Sequence, residues 1–168
     1  RRCYWSSDVC SSDLWETPDG DFVDVDHVDG PPEAPLLVLF HGLEGSAASH
    51  YALSTAHACR KGGWRLALPH FRGCSGELNR RPRAYHSGDS DEIDWILRRL
   101  QAANGGRPLH AAGISLGGNA LLKWAGERGA ELQRPLDRVL RRLVAQDIRN
   151  GGWVGVGLGL HHHIQVLP

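Results

Sequence analysis

Five apolar residues in succession, Leu36-Leu37-Val38-Leu39-Phe40, closed by Pro35 before them and His41-Gly42 after, set the tightest limit on what this chain can fold into. A strand with one wet face alternates apolar and polar side chains, so a run without alternation needs cover on both faces, as in a parallel sheet. Residues 64–68, stopped by Pro69, and 109–114 read as two more short apolar strands. The segments between and after them read as helices. Residues 49–61 end at Gly62-Gly63, and 116–127 begin directly after the last strand. The intervening helix, 89–103, carries Asp89, Asp91 and Glu92 in its first turn, where the dipole favours acids. Its apolar stripe is Ile93, Ile96, Leu97 and Leu100, and Asn104-Gly105-Gly106 terminates it. Strands and helices alternating with short links are βαβ units, which predicts an α/β fold with a mostly parallel sheet flanked by helices. Upstream, Thr17-Pro18-Asp19-Gly20 signals a turn, and Phe22, Val23 and Val25 set against Asp24 and Asp26 read as an edge strand.

Composition excludes several classes of function. The 168 residues, 41% hydrophobic and 23% charged, fit one ordinary globular domain rather than a disordered chain. With 19 basic residues against 19 acidic ones, there is no electrostatic reason to expect nucleic acid or an anionic membrane as partner. No stretch approaches the roughly 18 consecutive apolar residues of a membrane span. Cys3, Cys10, Cys59 and Cys74 form neither a CxxC pair nor a zinc-spaced cluster, and they are too sparse for a disulfide scaffold. They read as reduced thiols of a cytoplasmic protein. Residues 1–14 repeat Ser-Ser-Asp at 6–8 and 11–13 without helical or strand periodicity, and are expected to be a non-native leader outside the fold.

The chemistry centres on Gly113-Ile114-Ser115-Leu116-Gly117, which fits G-x-S-x-G. As a bare pattern it is weak. Here it falls where a predicted strand meets a predicted helix, as a nucleophile elbow requires. A serine on such a corner has a strained backbone, and small residues two before and two after it let strand and helix approach. The competing reading is a glycine-rich turn that binds phosphate or merely packs tightly. A second element, His41-Gly42-Leu43-Glu44-Gly45, follows the first buried strand. Acyl transfer needs main-chain N–H groups aimed where the oxyanion forms, and the expected donors are those of Leu116, just after the serine, and Leu43 in the early loop. His41 precedes the serine, whereas the catalytic order on this fold is Ser, acid, His, so His41 reads as a loop-shaping residue.

Taken together, the segments HGLEGS (41–46), Phe71-Arg72-Gly73-Cys74-Ser75-Gly76, Tyr85-His86-Ser87-Gly88-Asp89 and GISLGGNALLKWAGE (113–127) resemble the YheT-like, or ABHD-type, branch of the α/β-hydrolases. The resemblance spans residues 15–129, with Gly118 continuing the elbow. It implies hydrolysis of a small-molecule carboxylic ester by a Ser-Asp-His triad, with no metal or organic cofactor. Substrates in related branches are often lipid-like esters, and nothing in the sequence selects one.

Beyond Gly129 the pattern departs from that family, in which a further strand, the catalytic acid and the histidine should follow. Leu136, Val139, Leu140, Leu143, Val144 and Ile148 make one helical stripe, surrounded by arginines that read as a solvated face. The chain then passes through alternating glycines, which leave one face of a strand nothing to pack, to His161, His162 and His163. Residues 130–168 are thus expected to be a divergent or frame-shifted tail, and the hydrolase fold to be truncated at its C-terminal side. Asp137, Asp147 and the three histidines are the downstream triad candidates, but none has the required setting, so the triad acid and histidine stay unassigned. The triple histidine reads as a tail rather than a metal site, and Arg72 and His86 read as loop-shaping. A serine without its base should turn over esters weakly or not at all. The rival expectation is a non-catalytic module that binds a ligand or partner in the same cleft.

Overall fold

A computed structural model of the chain describes residues 10–105, 107, 109–128 and 155–159. In chain order these form β1 (Cys10–Glu16), β2 (Phe22–Val28), β3 (Leu36–Phe40), α1 (His50–Gly62), β4 (Arg65–Pro69), α2 (Ser90–Ala103), β5 (Leu109–Ile114), α3 (Leu116–Arg128) and β6 (Gly155–Gly159). The strands make one sheet in the order β1-β2-β4-β3-β5-β6. β3 lies between β4 and β5 and is parallel to both, with Leu36 opposite Arg65 on one side and Leu109 on the other. Parallel neighbours need a crossover, and α1 and α2 supply the two required here. The β1–β2, β2–β4 and β5–β6 pairs are antiparallel.

The unbroken apolar run is explained by what covers it. Leu36, Val38 and Phe40 enter a cluster with Ile93, Ile96 and Leu97 of α2 and Leu121 and Trp124 of α3. Leu39 enters the opposite cluster with Ala52, Ala56 and Cys59 of α1 and Leu66 and Leu68 of β4, and Leu37 packs against it. The strand's period of two therefore divides five apolar residues between two dry faces. Val38, Leu39 and Phe40 are at most 2% exposed, which stabilises the fold by roughly 1.5–3 kcal/mol for each side chain. No helix among the described residues is long and apolar enough to cross a membrane.

β2 is not an edge strand, because β1 pairs along its outer side through seven residues. Asp24 and Asp26 are consequently buried, and Asp26 Oδ2 meets His70 Nε2 at 3.0 Å. Residues 10–14, set aside as part of a leader, form the first five positions of β1. A β ladder joins main-chain N–H and C=O groups, so it forms without side-chain periodicity. The glycine-rich stretch likewise contributes β6, in which Gly155, Gly157 and Gly159 stand opposite Ile114, Ala112 and His110. The expected helical stripe of 136–148, Asp137, Asp147, His161, His162 and His163 lie outside the described residues.

Candidate active site

Ser115 occupies the single residue between β5 and α3 and is exposed. Its φ of 51° lies in the left-handed region, which among the described non-glycine residues it shares with Glu44. That conformation costs a non-glycine residue on the order of 1–3 kcal/mol and persists only where the surroundings impose it. Close packing imposes it here. A Cβ on Gly113 would stand 2.6 Å from both Cα and N of Gly118. One on Gly117 would stand 2.5 Å from the Phe40 carbonyl oxygen and closer still to that of His41. Strand, helix and β3 loop thus meet with no room for side chains at the positions two before and two after the serine. A Cβ on Gly42 would lie 3.4 Å from Ser115 Cβ, so the β3 loop is laid against the serine itself.

The serine also sits at the head of a helix. Asn119 N–H donates to Ser115 O at 3.0 Å as the helical ladder begins. The N–H of Leu116, in the first turn, has no intrahelical acceptor and lies at the positive end of the helix dipole.

Residues 42–45 of the β3 loop form a turn closed by Gly45 N–H donating to Gly42 O at 3.0 Å. Glu44, with φ 52°, takes the third position, where positive φ favours glycine. Gly42 N–H donates to Tyr51 Oη at 3.0 Å, and Glu44 N–H donates to Tyr85 Oη at 2.8 Å. Between these two engaged amides, that of Leu43 has no acceptor among the described residues. Among the described residues neither expected donor, the amide of Leu43 or that of Leu116, has an acceptor, and the two lie on the segments that flank Ser115. Leu43 is 69% exposed.

His41 is buried beneath this loop. Its Nδ1–H donates to Gly42 O at 2.7 Å, and its Nε2 accepts from Phe71 N–H at 2.9 Å. Burial pulls its pKa down to about 4, so the ring is neutral at neutral pH. With both nitrogens engaged it ties the β3 loop to the β4 loop and has none left for Ser115. Arg72, also buried, donates from Nε to Glu92 at 2.7 Å and from Nη1 to Asp19 and Asp21 at 2.8 and 3.0 Å. It locks the β1–β2 turn, the β4 loop and the first turn of α2 together. His86 is exposed, and its Nδ1 accepts from Gly88 N–H at 3.1 Å. The neighbouring Ser87 O accepts from Asn119 Nδ2 at 3.1 Å, which brings this loop to the first turn of α3. Among the described residues no side chain hydrogen-bonds Ser115 Oγ. Sequence reasoning missed Tyr51 and Tyr85 as shapers of the site. Tyr85 acts on an amide 41 residues away, and no local pattern marks such a contact.

The sequence profile of the alpha/beta hydrolase fold family matches residues 35–148, which contain β3, β4, β5 and the Ser115 corner. The chain belongs to the α/β-hydrolase family. It is 49% identical over 125 residues to the Escherichia coli (strain K12) protein named "Putative esterase YheT", covering 73% of this chain and 36% of that one. It is 28% identical over 128 residues to mouse Phospholipase ABHD3, covering 71% of this chain and 31% of the relative. The chain thus spans about a third of the length of these relatives. Among solved structures it resembles XC6422 from Xanthomonas campestris, an α/β serine hydrolase without a lid, with a TM-score of 0.58 at 20% identity. That alignment covers 73% of this chain and 58% of the other. The family is esterase-like, and its members include hydrolases.

Proposed function

We propose that the protein cleaves carboxylic esters with Ser115 as nucleophile and the N–H groups of Leu43 and Leu116 as the oxyanion hole. In that reading Ser115 Oγ bonds to the ester carbonyl carbon, and the carbonyl oxygen, now an anion, turns toward the Leu43 and Leu116 amides. Collapse breaks the ester C–O bond, and the serine's proton leaves with the alcohol. Water then attacks the acyl-serine, releasing the acid and restoring the hydroxyl. Gly113, Gly117 and Gly118 close the elbow, while His41 and Gly42 shape the opposing loop. The observation that carries the reading is the left-handed backbone of an exposed serine between glycines that have no room for a Cβ.

No side chain among the described residues is bonded to Ser115 Oγ, so activation by base and acid is not supplied there. An oxyanion hole and binding alone leave roughly 10³-fold over water. The expected result is slow hydrolysis of p-nitrophenyl acetate that disappears in Ser115→Ala. Equal rates for the two proteins overturn the proposal. That no side chain among the described residues is bonded to Ser115 Oγ also fits a second reading, a non-catalytic ligand-binding module. Labelling with a fluorophosphonate probe separates them, since a module of that kind leaves Ser115 unlabelled.

A further inference from the structure

The turn at 42–45 shows an arrangement that a loop-shaping role for His41 does not explain. Two phenol oxygens, one from Tyr51 in the helix that follows the loop and one from Tyr85, 41 residues beyond Glu44, accept from the amides of Gly42 and Glu44, immediately before and after Leu43. His41 Nδ1 and Gly45 N–H hold the Gly42 carbonyl of the peptide unit that carries the Leu43 N–H, the two phenols fix the planes on either side of it, and the Leu43 N–H itself has no partner among the described residues. We infer that Tyr51 and Tyr85 are positioning residues that aim the Leu43 amide at the reacting carbonyl oxygen. The inference rests on the proposed roles of Ser115 and Leu43.

Both rings are held rigidly enough for this task. Tyr85 stacks on Phe71 with centroids 5.2 Å apart and planes 3° from parallel. Phe71 in turn meets His41 edge-on at 4.7 Å and is held by its amide on His41 Nε2. Tyr51 projects from the first turn of α1, and its hydroxyl fills the space that a Cβ on Gly45 would occupy. The turn they clamp contains Glu44 at φ 52°, a conformation a free loop would relax. Water alone would satisfy the two flanking amides equally well but would fix no direction. Donors fixed in advance stabilise a developing anion more than donors that must reorient.

Phenylboronic acid tests this in the full chain. Ser115 Oγ adds to the trigonal boron, a B–O bond forms, the hydroxyl proton goes to solvent, and the boron becomes a tetrahedral anion with an oxygen where the oxyanion would sit. Benzoic acid, planar and unable to form the adduct, is the comparison. In Tyr51→Phe and Tyr85→Phe the Kd for phenylboronic acid should rise about tenfold, less than the loss of a whole oxyanion donor. The Kd for benzoic acid should change less than about twofold, a selectivity that mere loss of packing would not give. Amide exchange followed by NMR should accelerate at Gly42 in Tyr51→Phe and at Glu44 in Tyr85→Phe. Each variant keeps its ring, and either alone is decisive if the other does not fold. Adduct formation that depends on Ser115 but is unchanged in both variants overturns the positioning role and leaves Ser115 standing. A parent protein that forms no adduct at Ser115 overturns both. Unchanged exchange at Gly42 and Glu44 overturns the positioning role without any ligand.

Discussion

Adding one methyl group at two glycines of α3 should have opposite consequences. At Gly126 nothing lies within 4 Å of a new Cβ. Gly126→Ala therefore keeps every contact and reduces the freedom of the unfolded chain, stabilising by about 0.5–1 kcal/mol. At Gly117 the new Cβ would stand 2.5 Å from Phe40 O and 2.7 Å from Phe40 C. Carbon-to-oxygen contacts normally begin near 3.3 Å, so the helix must retreat by roughly 0.8 Å. The opposing atoms are main chain at the end of β3, a strand paired on both sides, and no side chain can swing away. Overpacking of this sort costs about 1–3 kcal/mol, and main-chain opposition puts Gly117→Ala at the upper end. For a domain of this size each kcal/mol moves Tm by about 2–4 °C. Thermal unfolding followed by far-UV circular dichroism should thus show Gly117→Ala lower by about 6–12 °C and Gly126→Ala higher by about 1–4 °C. A Gly117→Ala protein melting within about 1 °C of its parent would refute the claim that main-chain contact closes the elbow.

Ser115→Gly should relieve the left-handed strain and stabilise by about 1 kcal/mol in urea unfolding, whereas Ser115→Ala should give no such gain. Burial lowers the pKa of His41 from 6.5 to about 4. Between those values the unfolded chain binds the extra proton, so the stability His41 contributes is complete above about pH 6.5 and declines as pH falls toward 4. His41→Asn should make the urea midpoint less sensitive to pH across that window, and an unchanged profile would count against the assignment. Arg72→Met strands the buried carboxylates of Asp21 and Glu92. It should destabilise by about 3–5 kcal/mol in guanidinium unfolding, and Arg72→Met with Glu92→Gln should recover part of the loss.

Much of the central sheet was legible in the chain because its strands are short and dry on both faces. β3 and β5 begin and end where the apolar runs do, and α1, α2 and α3 fall within one residue of the boundaries set by their glycine and acidic markers. β2 misled because alternation reports side-chain polarity, not the number of neighbouring strands. Asp24 and Asp26 lie in the interior, where His70 meets Asp26 from 44 residues away. β1 was invisible for a related reason: its pairing with β2 is a main-chain affair. At the candidate site the glycine spacing around Ser115 was readable. The contacts that demand that spacing, between Gly113 and Gly118 and between Gly117 and the end of β3, are tertiary. Nothing near Tyr51 or Tyr85 in the sequence announces that their hydroxyls reach the amides beside Leu43.

A crystal structure of the protein soaked with phenylboronic acid reports whether the Ser115 hydroxyl and the amides of Leu43 and Leu116 act on one bound group. The expected result is boron bonded to Ser115 Oγ, with one boronate oxygen about 2.7–3.1 Å from the nitrogens of both Leu43 and Leu116. Boron attached to another side chain, or a Ser115 adduct whose oxygens all face solvent, would contradict it.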